Sequence, residues 1–248
     1  MDINSLTQNL DFKIHHYSVV SSTNQLAKEA IADGTAKSGL VFVADFQTDG
    51  RGQMGTIWQS TSGQNLLVSI ILSPNLSVNR QVYLNMACCL AVYDTVNKYT
   101  NDVRIKWPND IYVAGKKVAG ILIENTLQGS GIKYSVVGVG INCCQTEFDT
   151  EHASSLATTS PQKIVVWEVL ETLLQHLQRR YSQLMVNSDK RIKTEYMQQL
   201  IGLNQRRLFQ TDEGHFYAVI VDVDQQGCLV LDKNGERCKY MVKQIKFL

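Results

Sequence analysis

The stretch 103–142, VRIKWPNDIYVAGKKVAGILIENTLQGSGIKYSVVGVGIN, decides the fold. Short runs rich in β-branched residues alternate in it with turn-forming residues. The breaks are Pro108-Asn109-Asp110, Gly115-Lys116 and 128–131, leaving strands at 103–107, 111–114, 117–125 and 132–141. Connections this short suit antiparallel neighbours, because parallel pairs need a long crossover. A largely antiparallel sheet is therefore expected.

Upstream, 12–20 reads as a strand, and the hydroxyls of Ser21-Ser22-Thr23 are expected to cap a helix running to about 33, where Gly34 stops it. Residues 40–46 form a strand, a glycine-rich loop follows, and 65–72 reads as a fully buried strand. The segment 81–99 is expected to be a long amphipathic helix. Downstream, Val166, Leu170, Leu173, Leu177, Tyr181 and Leu184 recur at helical spacing, predicting a helix over 162–185, with a second over 189–200. From Gln205 the texture changes to short β runs at 206–210, 216–224, 228–232, 237–241 and 244–247. Asn234-Gly235 is the strongest hairpin signal among their turns. The chain is thus expected to divide into 1–202 and a small barrel, 203–248, which is marginal alone and leans on the larger unit.

Composition narrows the function. The 248 residues carry 24 basic and 23 acidic side chains, which argues against a protein built mainly to neutralise nucleic-acid phosphates. No apolar run approaches the ~18 residues of a membrane span. The start, MDINSLTQNLDFK, lacks the basic and apolar regions of a signal peptide. Of the six cysteines, Cys88-Cys89 and Cys143-Cys144 are vicinal, a pattern that suits free thiols in a reducing cytoplasm better than disulfides or a metal knuckle. His15-His16 reads as strand surface rather than a metal site.

Four segments carry chemistry. Asp49-Gly50-Arg51-Gly52-Gln53-Met54-Gly55 sets glycines where backbone approaches or closes over a ligand, unless it is a plain flexible hairpin. It is neither a Walker loop nor a dinucleotide fingerprint, because no Lys-Ser/Thr follows and no helix opens there. Arg51 can fork onto a carboxylate or phosphate. In Lys106-Trp107-Pro108-Asn109-Asp110, Pro108 holds Trp107 extended. Lys106 then suits a phosphate and Asp110 a Mg²⁺ ion, against the plainer reading of a turn beside a core tryptophan. Lys117 opens a buried strand, where it polarises a carboxylate or offsets phosphate charge, or merely snorkels. Strict alternation puts Lys117, Ala119 and Ile121 on one face and Val118, Gly120 and Leu122 on the other. Gly120, Gly138 and Gly140 mark close approach by a ligand or a packed neighbour.

Together with Ser22-Thr23-Asn24, Gln47 and Trp58, these segments make the chain resemble the biotin protein ligases, most specifically in the strings K-W-P-N-D and K-x-A-G-I-L-x-E. The resemblance covers nearly all the chain and is densest over 21–142. It implies an α+β fold: a largely antiparallel mixed sheet flanked by helices, like a class II synthetase, with a small C-terminal SH3-like β-barrel. It also implies a two-step reaction. Biotin and ATP give biotinyl-5′-AMP and pyrophosphate, and the adenylate acylates one lysine of a biotin carboxyl carrier protein.

By the same resemblance, Lys117 and Arg51 take catalytic positions, Lys117 between the biotin carboxylate and the phosphate. Ser22, Thr23, Asn24, Gln47, Gly50, Arg51, Gly52, Gln53, Lys117 and Gly120 fall on biotin. Trp58, Lys106, Asn109 and Asn142 fall on the nucleotide, with Asp110 on its Mg²⁺. ATP and Mg²⁺ act as co-substrate and activator, with no tightly bound prosthetic group. The setting is cytoplasmic. Direct DNA binding is not expected, because the biotin motif begins at Ser22. Exposed edge strands leave homodimer formation open.

One position departs from the pattern. The usual loop reads G-R-G-R-x-G, and Gln53 stands at its second arginine. Glutamine hydrogen-bonds a phosphate without offsetting its charge, so either another cation substitutes or the adenylate leaks. A lipoate ligase would not need the Ser22-Thr23-Asn24 and Gln47 cluster, and a biotinyl-AMP-binding regulator is the non-enzymatic alternative.

Overall fold

The computed structural model describes residues 10–248. The larger sheet contains β1 (Lys13–Val20), β2 (Leu40–Gln47), β3 (Asn65–Leu72), β4 (Leu76–Ser77), β5 (Val103–Lys106), β6 (Asp110–Val113), β7 (Lys116–Gln128) and β8 (Gly131–Asn142). Its order is β1-β2-β3-β8-β7-β6-β5, with β4 paired to β8. Among the described residues, β1 and β2 are the one pair of its strands that run parallel. The helix between them, α1 (Thr23–Ala32), is the crossover such a pair requires. The largely antiparallel mixed sheet expected from 103–142 is present.

The two-residue period of the strands makes two unlike faces. In β3, Leu66, Val68, Ile70 and Leu72 join the main core with α2 (Gln81–Asn97) and α4 (Val166–Met185). On the other face, Ile71 packs with Ala27, Phe42 and Val136 beneath α1. In β8, Val137, Val139 and Ile141 enter the main core. The alternate residues, including Gly138 and Gly140, therefore face the α1 side.

The helices correct two expectations. α2 is not amphipathic: Val82, Leu84, Met86, Ala87, Leu90, Ala91 and Val96 are all buried, as an apolar helix inside a core must be. The helix expected from residue 162 begins at Val166, preceded by the short α3 (Leu156–Thr159) and an extended link in which Ile164 is tucked into the core. α5 (Asp189–Gln198) follows.

The C-terminal part is a five-stranded antiparallel sheet, ordered β12-β11-β10-β9-β13. Its strands are β9 (Arg206–Thr211), β10 (Gly214–Val223), β11 (Leu229–Lys233), β12 (Glu236–Tyr240) and β13 (Lys246–Phe247). Asn234 and Gly235 turn β11 into β12 with φ of 56° and 92°, as the Asn-Gly pair predicts. Among the described residues no ladder joins β12 to β13, so the hydrogen-bonded path is open where a closed barrel was expected.

The two sheets are packed together. Phe209, Ile220, Leu229 and Leu231 belong to the same buried cluster as the main core. Trp107 Nε1 donates to the Gly227 carbonyl at 3.1 Å, and Lys193 pairs with Asp222 at 2.7 Å. All six cysteines are unbridged, and burial pushes the Cys88 thiol up to about 12. His16 pairs with Asp45 at 2.8 Å on the exposed surface of β1. Among the described residues, no helix is long and apolar enough to cross a membrane. The start of the chain, on which the absence of a leader was argued, largely precedes the described residues.

Candidate active site

A cavity of about 380 Å³ opens on the α1 side of the larger sheet. It is lined by Ser22, Thr23, Asn24, Gln47, Arg51, Gly52, Gln53, Trp58, Asn109, Asp110, Lys117 and Gly120, and by Gly138 and Gly140 of β8.

One end is neutral and hydrogen-bonded. Gln47 Oε1 accepts the Thr23 N–H at 2.7 Å and the Thr23 hydroxyl at 3.0 Å. Gln47, from the end of β2, thus satisfies an orphan amide at the start of α1. The Ser22 side chain makes no capping hydrogen bond, which corrects the expected hydroxyl cap. Ser69 Oγ lies 2.7 Å from Thr23 Oγ1 and 2.6 Å from Asn24 Oδ1. Its single proton goes to the Asn24 oxygen, which can only accept. Asn24 Nδ2 donates to Glu124 at 2.8 Å, and Lys28 donates to the other carboxylate oxygen at 3.0 Å. Gly138 makes room for this arrangement: a Cβ there would fall on the Asn24 amide.

Burial pushes the Glu124 carboxyl up, but hydrogen bonds from Asn24 and Lys28 and the charges of Lys28 and Arg51 outweigh it, and the net shift is downward. A lowered carboxyl stabilises the fold above its unfolded value, and that stability is lost as pH falls through the lower folded value. Glu124→Gln should therefore flatten the decline in melting temperature below about pH 4.5, the region of an ordinary glutamate. A scan of melting temperature against pH for both proteins checks this.

The other end is charged. Lys117 Nζ pairs with Asp110 Oδ1 at 2.7 Å. Strict alternation had separated Lys117 from Gly120, and the structure overturns that. Ile111 pairs with Ala119 and Tyr112 with Lys117, so Val118 is an extra residue in β7. This β-bulge shifts the phase by one residue and brings Lys117 onto the face of Gly120 and Asp110. The Pro108-Asn109-Asp110 turn is pinned from two sides. The Pro108 carbonyl accepts from Tyr196 at 2.9 Å and from Asn85 at 3.2 Å, while Asn109 Nδ2 donates to the Ile121 carbonyl.

Trp58 stands between the two ends. A Cβ on Gly140 would lie 2.5 Å from its indole, and one on Gly120 3.0 Å. These glycines are directly paired across β7 and β8, and they form a flat seat for the ring. The Lys117 ammonium lies 5.5 Å from the indole centroid, and the buried Nε1 has no partner. Beyond Trp58 and Lys117 a second cavity, of about 750 Å³, is lined by Gly50, Asn142, Gln145, Glu147 and Thr150. Asn142 donates to the Ser154 carbonyl at 2.9 Å, leaving its buried Oδ1 unpartnered.

The glycine-rich loop folds back as a closed hairpin. Trp58 N–H donates to Gly50 O at 2.9 Å, Gly52 N–H donates to Thr56 O at 2.7 Å, and Arg51 bridges Ile57. The Arg51 guanidinium is engaged by Asp49. Lys106 lines neither cavity. Its ammonium lies over Tyr112 and Phe247, at 5.1 and 5.7 Å from the ring centroids, and burial lowers its pKa. Ser69, Glu124, Val242 and Lys243 belong to the site or its frame without having been singled out. A lone serine inside the apolar run NLLVSIIL was the available signal for Ser69.

Residues 17–142 match the Biotin/lipoate A/B protein ligase family. The chain is 31% identical over 225 residues to the "Bifunctional ligase/repressor BirA" of Bacillus subtilis, covering 88% of this chain and 69% of the relative. The chain belongs to the biotin/lipoate A/B protein ligase family. Within that family it is 30% identical to the "Biotin--[acetyl-CoA-carboxylase] ligase" of Mycobacterium tuberculosis, over 86% of this chain and 81% of the relative. A biotin protein ligase from Aquifex aeolicus, solved with biotin and ATP, superposes with a TM-score of 0.77 at 25% identity. That match covers 95% of this chain and 98% of the Aquifex chain.

Proposed function

We propose that this chain is an ATP-dependent biotin protein ligase. It activates biotin as biotinyl-5′-AMP and transfers it to a lysine of a biotin carboxyl carrier protein. The observation that carries the reading is the joining of a neutral end to a cationic end in one cavity. Ser22, Thr23, Asn24 and Gln47 offer uncharged donors and acceptors, as the ureido ring of biotin requires. Lys117 and Arg51 then face its carboxylate. A lipoate head has no ureido group to use that neutral end.

In the first step a biotin carboxylate oxygen attacks the α-phosphorus of ATP in line, forming the mixed anhydride and expelling pyrophosphate. Both reactants are anionic, so the cation between them lowers the barrier by holding them together and taking up developing charge. We assign this to Lys117, and the adenylate phosphate to Arg51 after it exchanges Asp49 for the substrate. The second cavity, with Asn142 and Trp58 in its lining, takes the nucleotide, Asn109 faces it from the first cavity, and Gly50, Gly52 and Gln53 close over the product. Lys106 remains assigned to the nucleotide side through its position beside Asp110. In the second step the carrier lysine amine attacks the acyl carbon, AMP leaves, and the amine proton passes to solvent.

Among the described residues, no three ligating side chains gather for a metal. Among the described residues, Asp110 is the one carboxylate lining the first cavity, and Lys117 holds its Oδ1. Mg²⁺ accordingly enters with the triphosphate, Asp110 adding at most one ligand. The unit division at 202/203, a barrel-like curl of the second sheet without a closing ladder and a cytoplasmic setting are part of this reading, the last supported by vicinal free thiols. β1 ends the larger sheet and offers its outer edge to a second copy.

Pyrophosphate exchange into ATP tests the assignment. Exchange should depend on biotin and not occur with lipoate. Lipoate-driven exchange of equal rate would replace biotin by lipoate in this account.

A further inference from the structure

We propose that Lys243, from the C-terminal sheet, is a phosphate-binding residue of the active site and supplies the positive charge that the glycine-rich loop lacks at Gln53. Val242 and Lys243 line the first cavity together with Arg51, Gln53, Asp110 and Lys117. They lie on the turn between β12 and β13, far from the other lining residues in sequence. Lys243 has φ of 72°, the left-handed region that side chains other than glycine rarely adopt. Such a conformation persists when its surroundings fix it, and it clusters at functional positions. Here the turn is closed on both strands. Met241 N–H donates to Gln244 Oε1 at 2.7 Å, Gln244 N–H donates to the Met241 carbonyl at 3.1 Å, and Val242 bridges Ile245, which is buried in the core.

The charges explain why a cation is useful there. Arg51 is engaged by Asp49 and Lys117 by Asp110, so carboxylates already offset part of the positive charge at this end of the cavity. Gln53 offers a nucleotide hydrogen bonds and no charge. A triphosphate brings several negative charges, and an adenylate retains one on its phosphate. Lys243 therefore makes the C-terminal sheet a part of nucleotide binding and retention, rather than a distant support.

This inference rests on the ligase reading, and the test separates the two. Steady-state kinetics and quenched-flow release of biotinyl-AMP are measured for Lys243→Met, Lys243→Gly, Lys243→Arg and the double variant Gln53→Arg/Lys243→Met. Glycine suits the positive φ, so Lys243→Gly removes the charge while preserving the turn. Both neutral variants should raise the KM for ATP about tenfold and speed adenylate release by a similar factor, the change expected for losing one charge-assisted contact. Biotin affinity without ATP should stay within about twofold. Lys243→Arg should recover most of the ATP affinity, and arginine at position 53 should rescue Lys243→Met. If Lys243→Gly keeps the wild-type KM for ATP and the wild-type release rate, the assignment is wrong. Failure of the wild-type protein to form any biotinyl-AMP would instead overturn the ligase reading itself.

Discussion

Lys117→Ala should lower the rate of biotinyl-AMP formation about 10²–10³-fold, the cost of removing one preorganised charge at a reacting centre. Its melting temperature should barely change, because the Lys117 side chain is 33% exposed and that of its partner Asp110 26%. Water rehydrates Asp110 once the pair is broken, and partly exposed pairs contribute only about 0–1 kcal/mol. The large effect should therefore fall on the chemical step. Two features make this more than a generic lysine replacement. The Val118 bulge turns Lys117 into the cavity, and Asp110 fixes its ammonium above the Gly120 and Trp58 floor. If Asp110 acts through Lys117, the two residues will not add: Asp110→Asn/Lys117→Ala should be no slower than Lys117→Ala alone. Single-turnover adenylate formation for Lys117→Ala, Asp110→Asn and the double variant checks both points. A snorkelling surface lysine would leave the rate unchanged.

Gly138→Val should weaken biotin binding by about 100-fold or more. The new side chain needs the space of the Asn24 amide, so Asn24 must give up Ser69 and Glu124 together. Each buried polar group left without a partner costs about 1–3 kcal/mol, and 1.4 kcal/mol is a factor of ten in affinity. Overpacking adds about 1–3 kcal/mol of lost stability, which a rescue variant separates from lost recognition. Asn24→Ala/Gly138→Ala restores the space and should recover melting temperature, yet biotin affinity should stay low because the Asn24 amide is gone. Titration calorimetry with biotin, beside thermal unfolding, reads the two effects independently. Recovery of affinity in the double variant would remove Asn24 from the biotin site.

The strands of 103–142 were legible because turn chemistry brackets each one, and Gly138 and Gly140 were legible as a pair because alternation puts them on one face. Lys117 was found by type and place but put on the wrong face. A bulge such as that at Val118 adds a residue without a distinctive residue type to announce it. The helix cap was misread for a related reason. Ser22 looks like a cap, but the amide of Thr23 is satisfied from 24 residues away, by a glutamine that sequence spacing cannot connect to it. α2 was expected to be amphipathic, whereas its apolar residues extend around its circumference. Lys243 was invisible for the strongest reason: it reaches the cavity only because two separate sheets share a buried core.

In this ligase one cavity activates biotin and hands it to a protein lysine. The full chain, incubated with radiolabelled biotin, ATP, Mg²⁺ and a biotin carboxyl carrier domain, tests it directly. Label should appear on the carrier, be lost when the carrier's acceptor lysine is replaced by arginine, and be absent when ATP is omitted. Radiolabelled lipoate should give none. An unlabelled carrier beside an active reference ligase, or labelling by lipoate in place of biotin, would overturn the assignment of this chain as a biotin ligase.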